Sequence, residues 1–155
     1  MRFSILLSIC IFLAVACKTK EYTPYNYKGE IMVFGGGGGF SGKVTQYTLL
    51  SNGQFFRGTH KEGKVIEFPR IERKQAKQLF DSYHNLGFDE LNLMEGGNLY
   101  KFVKMYKDGQ EHVIQWGDSL SDPPKSLLVY QNNLMALARK ANKQVKEINA
   151  NYQVR

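Results

Sequence analysis

Four short runs between residues 30 and 68 have the composition of β-strands. Each is rich in β-branched or aromatic residues, which pack well on a pleated surface. The runs are 30–34, 43–50, 54–59 and 64–68. Asn52-Gly53 is a strong turn dipeptide and Gly63 ends a second turn, so consecutive runs are expected to pair as hairpins. This part of the chain predicts a four-strand antiparallel meander that ends at Pro69.

The hydrophobic period becomes helical after Pro69. An apolar stripe at the spacing i, i+3, i+4 and i+7 is formed by Ala76, Leu79, Phe80 and Tyr83. The stripe predicts a helix from about 72 to 85, and Gly87 is placed to end it.

The rest of the chain predicts a hairpin and a closing helix. Residues 99–107 and 110–116 have strand composition, and Asp108-Gly109 between them is the two-residue hairpin signal. After Asp122-Pro123-Pro124, a second helical stripe consists of Leu127, Tyr130, Leu134, Leu137, Ala138 and Ala141. The predicted order is ββββ-α-ββ-α. This order favours an α+β domain with an antiparallel sheet of about six strands covered by two helices.

The N-terminus has the features of a bacterial lipoprotein signal. Arg2 supplies a positive charge, and residues 3–15 form an apolar run shorter than the roughly 20 residues that cross a bilayer. The run leads into Ala16-Cys17 and resembles a lipobox, although Ala14 stands where that motif usually has leucine. The resemblance implies cleavage after residue 16, a thioether lipid on Cys17 and acylation of the new amino terminus. An ordinary secretory peptide or an uncleaved signal anchor is the alternative interpretation.

This interpretation divides the chain into four parts. We expect a signal peptide at 1–16, a lipidated tether at 17–28, a single α+β domain at 29–141, and a basic helix extension or frayed tail at 142–155. No acidic run resembling a surface-export signal follows the cysteine. The expected location is therefore the bacterial cell envelope, with the protein lipid-anchored in the outer membrane and facing the periplasm.

Composition and charge narrow the classes of partner. The chain has 155 residues, of which 43% are hydrophobic, and this fits one globular domain. Cys10 leaves with the signal and Cys17 carries the lipid, which excludes a disulfide, a cysteine nucleophile and a cysteine metal site. The formal net charge of +7 could indicate nucleic acid. Outside the cytoplasm, however, a basic C-terminus more readily meets an acidic membrane surface or glycan, or is simply a solvated helix face, so we expect no nucleic-acid partner.

The run Gly35–Gly39 and the residues after it form the candidate functional motif. By letter, the stretch matches the dinucleotide-binding fingerprint and, up to Val44, the P-loop. Both motifs hold phosphate at a helix N-terminus, whereas residues 44–48 have strand composition, so no nucleotide is expected. The candidate binding loop comprises Gly37, Gly38, Gly39, Phe40, Ser41 and Gly42. Two interpretations stay open: a wide, flexible hairpin loop that offers Phe40 to a partner, or a loop crossing close to the sheet with Phe40 packed down as a lid.

The sequence predicts no catalytic or metal centre. His60, His84 and His112 lack the spacing of metal ligands, and the chain has no Gly-x-Ser-x-Gly elbow. His112 shares a predicted strand face with Ile114 and Trp116, which favours a packed histidine. We therefore expect no metal, no cofactor and no enzymatic activity.

A pattern over residues 30–140 carries a family resemblance. Its parts are Gly38-Gly39-Phe40-Ser41-Gly42, a tyrosine-bearing strand, a helix, residues 100–107, His112-Val113-Ile114-Gln115-Trp116-Gly117-Asp118, and a closing helix that follows prolines. The pattern resembles small bacterial lipoproteins of unassigned function. More distantly, it is similar to emfourin-like proteins, some of which inhibit thermolysin-type metallopeptidases. The hairpin around Gly63 and the long basic C-terminus depart from the emfourin pattern, so the fold transfers more safely than the inhibition.

These observations together predict a non-enzymatic, lipid-anchored binding protein of the cell envelope. Its expected partners are the membrane, through the lipid, and a protein. The first alternative is an inhibitor of a secreted or periplasmic metallopeptidase that acts through the loop Gly35–Gly42. The second is a structural accessory subunit of an envelope complex.

Overall fold

The computed structural model describes residues 22–58, 65–117 and 122–153. The predicted signal peptide, Cys17, His60, the turn at 61–63 and Asp118 lie outside the described residues. Six strands and two helices make up the domain: β1 (Ile31–Gly38), β2 (Thr45–Leu50), β3 (Phe55–Arg57), β4 (Ile66–Phe68), α1 (Arg73–Asn85), β5 (Leu99–Lys107), β6 (Gln110–Gly117) and α2 (Lys125–Gln153). A single 3-10 turn, Phe88–Glu90, follows α1.

The strands form one antiparallel sheet with the order β4-β3-β2-β1-β5-β6. The predicted α+β fold, with its element order ββββ-α-ββ-α, is confirmed. β1 lies at the centre of the sheet, where Phe34 is opposite Tyr47 of β2 on one side and Val103 of β5 on the other. The first strand of the domain is therefore hydrogen-bonded along both edges.

Both helices contribute to the core on one face of the sheet. Side chains from the sheet and the helices form one buried cluster that includes Met32, Phe34, Leu49, Val103, Ile114, Trp116, Phe80, Tyr83, Leu127, Tyr130, Leu134 and Ala138. The hydroxyl of Tyr130 on α2 donates a hydrogen bond to the carbonyl oxygen of Leu79 on α1 at 2.8 Å. This bond ties the two helices together above the sheet.

The helix α2 runs through the basic C-terminal segment as far as Gln153. Val145 still packs against the core, which holds the helix beyond the last fully buried position, Ala141. At 142–153 the structure therefore has a helix extension rather than a frayed tail.

The segment 22–28, which belongs to the tether predicted at 17–28, is bound to the domain. The backbone N–H of Tyr22 donates to Oε1 of Gln54 at 3.1 Å, and Nε2 of Gln54 donates back to the Tyr22 carbonyl at 2.8 Å. The hydroxyls of Tyr27 and Ser51 are 2.8 Å apart. Gln54 is buried, and these bonds satisfy its amide, so the contact is a built part of the fold. The sequence gives no sign of this pairing, because the partners are 32 residues apart.

Candidate functional site

The glycines at positions 35 to 38 belong to strand β1 and not to a loop. Gly35 is opposite Gln46 and Phe102, and Gly36 is opposite Thr45 and Lys101. Gly37 and Gly38 continue the pairing with β5. The prediction that β1 ends near residue 34 and gives way to a wide, flexible loop is therefore wrong, because tertiary pairing overrides the low strand propensity of glycine.

Close backbone approach explains why this stretch is glycine. A Cβ atom on Gly35 would collide with the carbonyl oxygen of Thr45 in the neighbouring strand. Gly38 has a φ of +99°, and a Cβ there would collide with the carbonyl oxygen of Asn98. The next N–H, that of Gly39, donates to the same oxygen of Asn98 at 2.6 Å. No side chain fits at positions 35 and 38 without moving backbone.

A tight turn closes the β1–β2 hairpin and presents Phe40. The N–H of Gly42 donates to the carbonyl oxygen of Gly39 at 3.1 Å, so Phe40 and Ser41 occupy the two central positions of a four-residue turn. Phe40 is fully exposed, with a relative accessibility of 111%. Of the two interpretations of this residue, the packed-down lid is wrong, because the turn projects the ring beyond the end of the sheet.

Two other exposed apolar side chains lie beside the glycine strand. The Cδ2 atom of Leu99 is 3.3 Å from where a Cβ of Gly39 would be, and Cγ2 of Val44 is 2.9 Å from the equivalent position at Gly37. Both side chains are exposed. We call Phe40, Val44 and Leu99 the hairpin tip. These exposed apolar side chains lie around the end of the sheet to which β1 runs, Leu99 on the face that carries the lining residues Gly36 and Gly38 and Val44 beside Gly37 on the other.

An open groove of about 830 Å³ lies between the glycine strand and helix α2. Its lining comes from β1, β2, β5, β6 and α2 and includes Gly36, Gly38, Thr45, Lys101, Trp116, Leu128, Gln131, Met135 and Arg139. The groove exists because β1 carries no side chains here, so α2 faces bare backbone. We call this space the glycine groove.

The glycine groove has a positive rim. Lys43, Lys101 and Arg139 line it, and no acidic residue does so within the part of the chain that the structure describes. In the same part of the chain, none of these three cations makes an ion pair, whereas Lys107, for example, lies 2.7 Å from Glu30. Among the described residues, the positive charge of the groove lining is therefore uncompensated.

The described histidines have structural partners. Nδ1 of His112 is 2.7 Å from the hydroxyl of Tyr83, which joins β6 to α1. His84 lies between Asp89, at 2.6 Å, and Glu30, at 3.1 Å. Within residues 22–58, 65–117 and 122–153, no group of three or more His, Cys, Asp or Glu side chains could hold a metal ion.

The sequence indicates Phe40 of the hairpin tip, but not Val44, Leu99 or the glycine groove. Phe40 and its glycines stand together in the sequence, whereas Lys101, Trp116 and Gln131 come from three separate elements. The clearest available signal was Gln131, a polar residue directly after Tyr130 of the predicted apolar stripe, since it marks a polar position at the edge of the buried helix face.

The comparisons with known proteins assign no family. The chain matches no protein-family model, and no curated protein matches its sequence. In the described residues, no helix combines the length and the apolar character needed to cross a membrane.

Proposed function

We propose that this chain is a non-enzymatic, lipid-anchored protein of the bacterial cell envelope that binds a protein partner through the hairpin tip. The observation that carries the proposal is the complete exposure of Phe40 on a turn that follows a strand paired with β2 as far as Gly36 and with β5 as far as Gly38. Moving a large aromatic side chain from water into a partner's apolar pocket is favourable by about 1.5–3 kcal/mol. Anchors of this kind contribute most of the affinity in many interfaces.

The hairpin is preorganised for such a contact. Gly35–Gly38 are already fixed by hydrogen bonding to their neighbours, and the Gly39–Gly42 hydrogen bond closes the turn. Little backbone ordering therefore remains to be done when a partner binds, and a reduced ordering cost raises affinity. Glycines that would be flexible in isolation form a stiff support for Phe40 in this sheet.

The position of the N-terminal segment supports a soluble partner. Tyr22 is bonded to Gln54, beside the turn that follows Leu50, and Leu50 is opposite Ile31 at the start of β1. The hairpin tip is at the other end of β1. A lipid on Cys17 would thus lie on the Tyr22 side of the domain, and Phe40 would point away from the membrane.

Inhibition of a secreted or periplasmic metallopeptidase is the specific form of this function that the hairpin favours. An inhibitory loop must enter a cleft and keep its shape there, and an exposed aromatic residue on a narrow, paired hairpin meets both needs. The emfourin-like resemblance of the sequence points to the same class of target.

A matched pair of variants tests the role of Phe40. Phe40→Ala removes the anchor, and Val129→Ala removes a side chain that is 59% exposed on helix α2. A second pair of variants carries a photo-crosslinking amino acid at position 40 or at position 129. When these variants are irradiated in cells, we expect a discrete adduct with a partner from position 40 and none from position 129. Equal labelling from both positions, or none from position 40, would contradict the proposal.

The inhibitor form has its own assay. Titration of thermolysin-type peptidases with the purified domain should give inhibition that Phe40→Ala weakens at least about tenfold and Val129→Ala leaves unchanged. Absence of inhibition by the unaltered protein removes the inhibitor form alone. A stoichiometric adduct with an envelope subunit would instead support the accessory-subunit alternative.

The lipid anchor is tested separately. Cys17→Ser removes the thiol that would carry the lipid. The variant should move from the membrane fraction to the soluble fraction, because two or more acyl chains anchor a protein stably and the variant has none. Persistence of Cys17→Ser in the membrane fraction after a carbonate wash would contradict the anchor.

A further inference from the structure

We propose that the glycine groove is a binding site for a small anionic amphiphile, a molecule with an oxyanion head group and an apolar body. This inference goes beyond the protein-binding function of the hairpin tip, because it concerns a groove that shares only Leu99 with the tip and a different class of ligand. It rests on two unpartnered polar groups, the charge of the rim and the apolar walls.

The first observation is a pair of polar groups that are buried in the groove lining without partners. Trp116 is 2% exposed and Gln131 is 4% exposed. Neither the indole N–H nor the side-chain amide makes a hydrogen bond within the part of the chain that the structure describes. Buried groups of both kinds normally have a partner.

Trp116 and Gln131 both line the glycine groove. The only side-chain polar atom of the described residues that is fully shielded and lacks a partner is Oε2 of Glu95. The indole nitrogen of Trp116 and the amide of Gln131 are therefore not sealed in the core, although their side chains are. Two residues with N–H donors in the lining of one cavity suit an oxygen acceptor.

The second observation is the charge of the rim. Lys43, Lys101 and Arg139 line the same groove as the two donors and have no carboxylate partners among the described residues. An arginine and two lysines beside buried N–H donors favour an anion over a neutral or cationic ligand. The head group is therefore a carboxylate or a phosphate.

The third observation is the character and size of the space. Leu128 and Met135 supply apolar walls, and the β1 backbone supplies a flat floor without side chains. A volume of about 830 Å³ falls within the range of 300–1,000 Å³ common for small-molecule pockets. The ligand body is thus apolar and slim enough to lie between α2 and the sheet.

Tryptophan fluorescence reports directly on this site, because Trp116 is the single tryptophan of the chain. Decanoate, decyl phosphate and decyltrimethylammonium, each below its micelle concentration, share a chain length and differ in head group. We expect a saturable change in emission with decanoate, decyl phosphate or both, and none with the cation. The stronger of the two anions identifies the head group.

Matched variants tie the signal to the groove. Arg139→Glu should weaken amphiphile binding at least about tenfold, because it removes a charge-assisted contact. The control is Lys140→Glu, since Lys140 is also exposed but does not line the groove, and this variant should bind as the unaltered protein does. Gln131→Met keeps the length of the side chain and removes the amide, and it should also weaken binding. Urea unfolding midpoints of each variant separate a lost site from a lost fold.

Three results would overturn the inference: no saturable change with either anion, equal binding of the cation, or equal weakening by Arg139→Glu and Lys140→Glu. Phe40→Ala should leave amphiphile binding unchanged. Failure of this inference is therefore distinguishable from failure of the protein-binding function.

Discussion

Replacing Gly35 by alanine should destabilise the domain, whereas the same change at Gly96 should not. The added methyl group at position 35 meets the carbonyl oxygen of Thr45, which is backbone in the adjacent strand and cannot rotate away. At position 96, a Cβ atom would meet nothing within 4 Å, and the φ of this glycine is one that alanine adopts. The two variants add the same group to the same kind of residue.

Two opposing terms set the expected magnitudes. Overpacking that forces backbone to shift costs about 1–3 kcal/mol. Alanine also restricts the unfolded chain, which stabilises by about 0.4–1 kcal/mol at either site. The net result is a loss of up to about 2.6 kcal/mol for Gly35→Ala and a gain of about 0.4–1 kcal/mol for Gly96→Ala, so the two variants should differ by about 1–3 kcal/mol.

Urea denaturation followed by circular dichroism measures both free energies of unfolding. The m-values should match that of the unaltered protein, so the midpoints report stability directly. If Gly35→Ala is as stable as Gly96→Ala, the close approach of β1 and β2 is not what requires glycine at position 35, and the explanation of the glycine strand fails.

Three further predictions concern the core. Leu134→Ala should cost about 2–5 kcal/mol in urea denaturation, because the side chain is fully buried between α2 and the sheet; a loss below 1 kcal/mol would contradict that packing. Tyr83→Phe should cost about 1 kcal/mol by leaving Nδ1 of His112 without its hydroxyl partner, and an unchanged midpoint would show that the bond contributes nothing. Burial raises the pKa of Tyr130 well above its ordinary value near 10, so the folded state keeps a proton that the unfolded chain loses. The contribution of Tyr130 to the free energy of unfolding is fully present below pH 10, and above that pH it falls by up to about 1.4 kcal/mol per pH unit. When the free energy of unfolding is measured against pH, Tyr130→Phe should reduce the steepness of this fall by that amount.

The sequence predicts well those elements whose signals are local. The β5–β6 hairpin was expected over 99–107 and 110–116, and it spans Leu99–Lys107 and Gln110–Gly117. Asp108 and Gly109 both have positive φ, as a two-residue hairpin turn requires. The two amphipathic stripes likewise predict the faces on which α1 and α2 are buried.

The parts that escape prediction depend on contacts between distant residues. Glycine disfavours strands in isolation, but Gly35 and Gly36 are held on both sides, by the next strand β2 and by β5, which lies far along the sequence. The glycine groove is likewise a product of assembly, since Trp116 and Gln131 meet only when β6 and α2 pack. Periodicity specifies which residues are buried, and it does not specify where the packed layers leave space.

The attachment of Tyr22 to Gln54 would limit how far the domain can travel from a membrane. Tyr22 is five positions after Cys17, so a lipid on Cys17 would hold the domain within a tether of roughly 17 Å at full extension. The eight residues of β1 add a rigid span of roughly 26 Å to the hairpin tip. A domain tethered by such a lipid would stay within a thin layer next to the membrane, and it would contact only those targets that enter this layer. Its effective concentration for a target in the same layer would then far exceed its average concentration in the compartment.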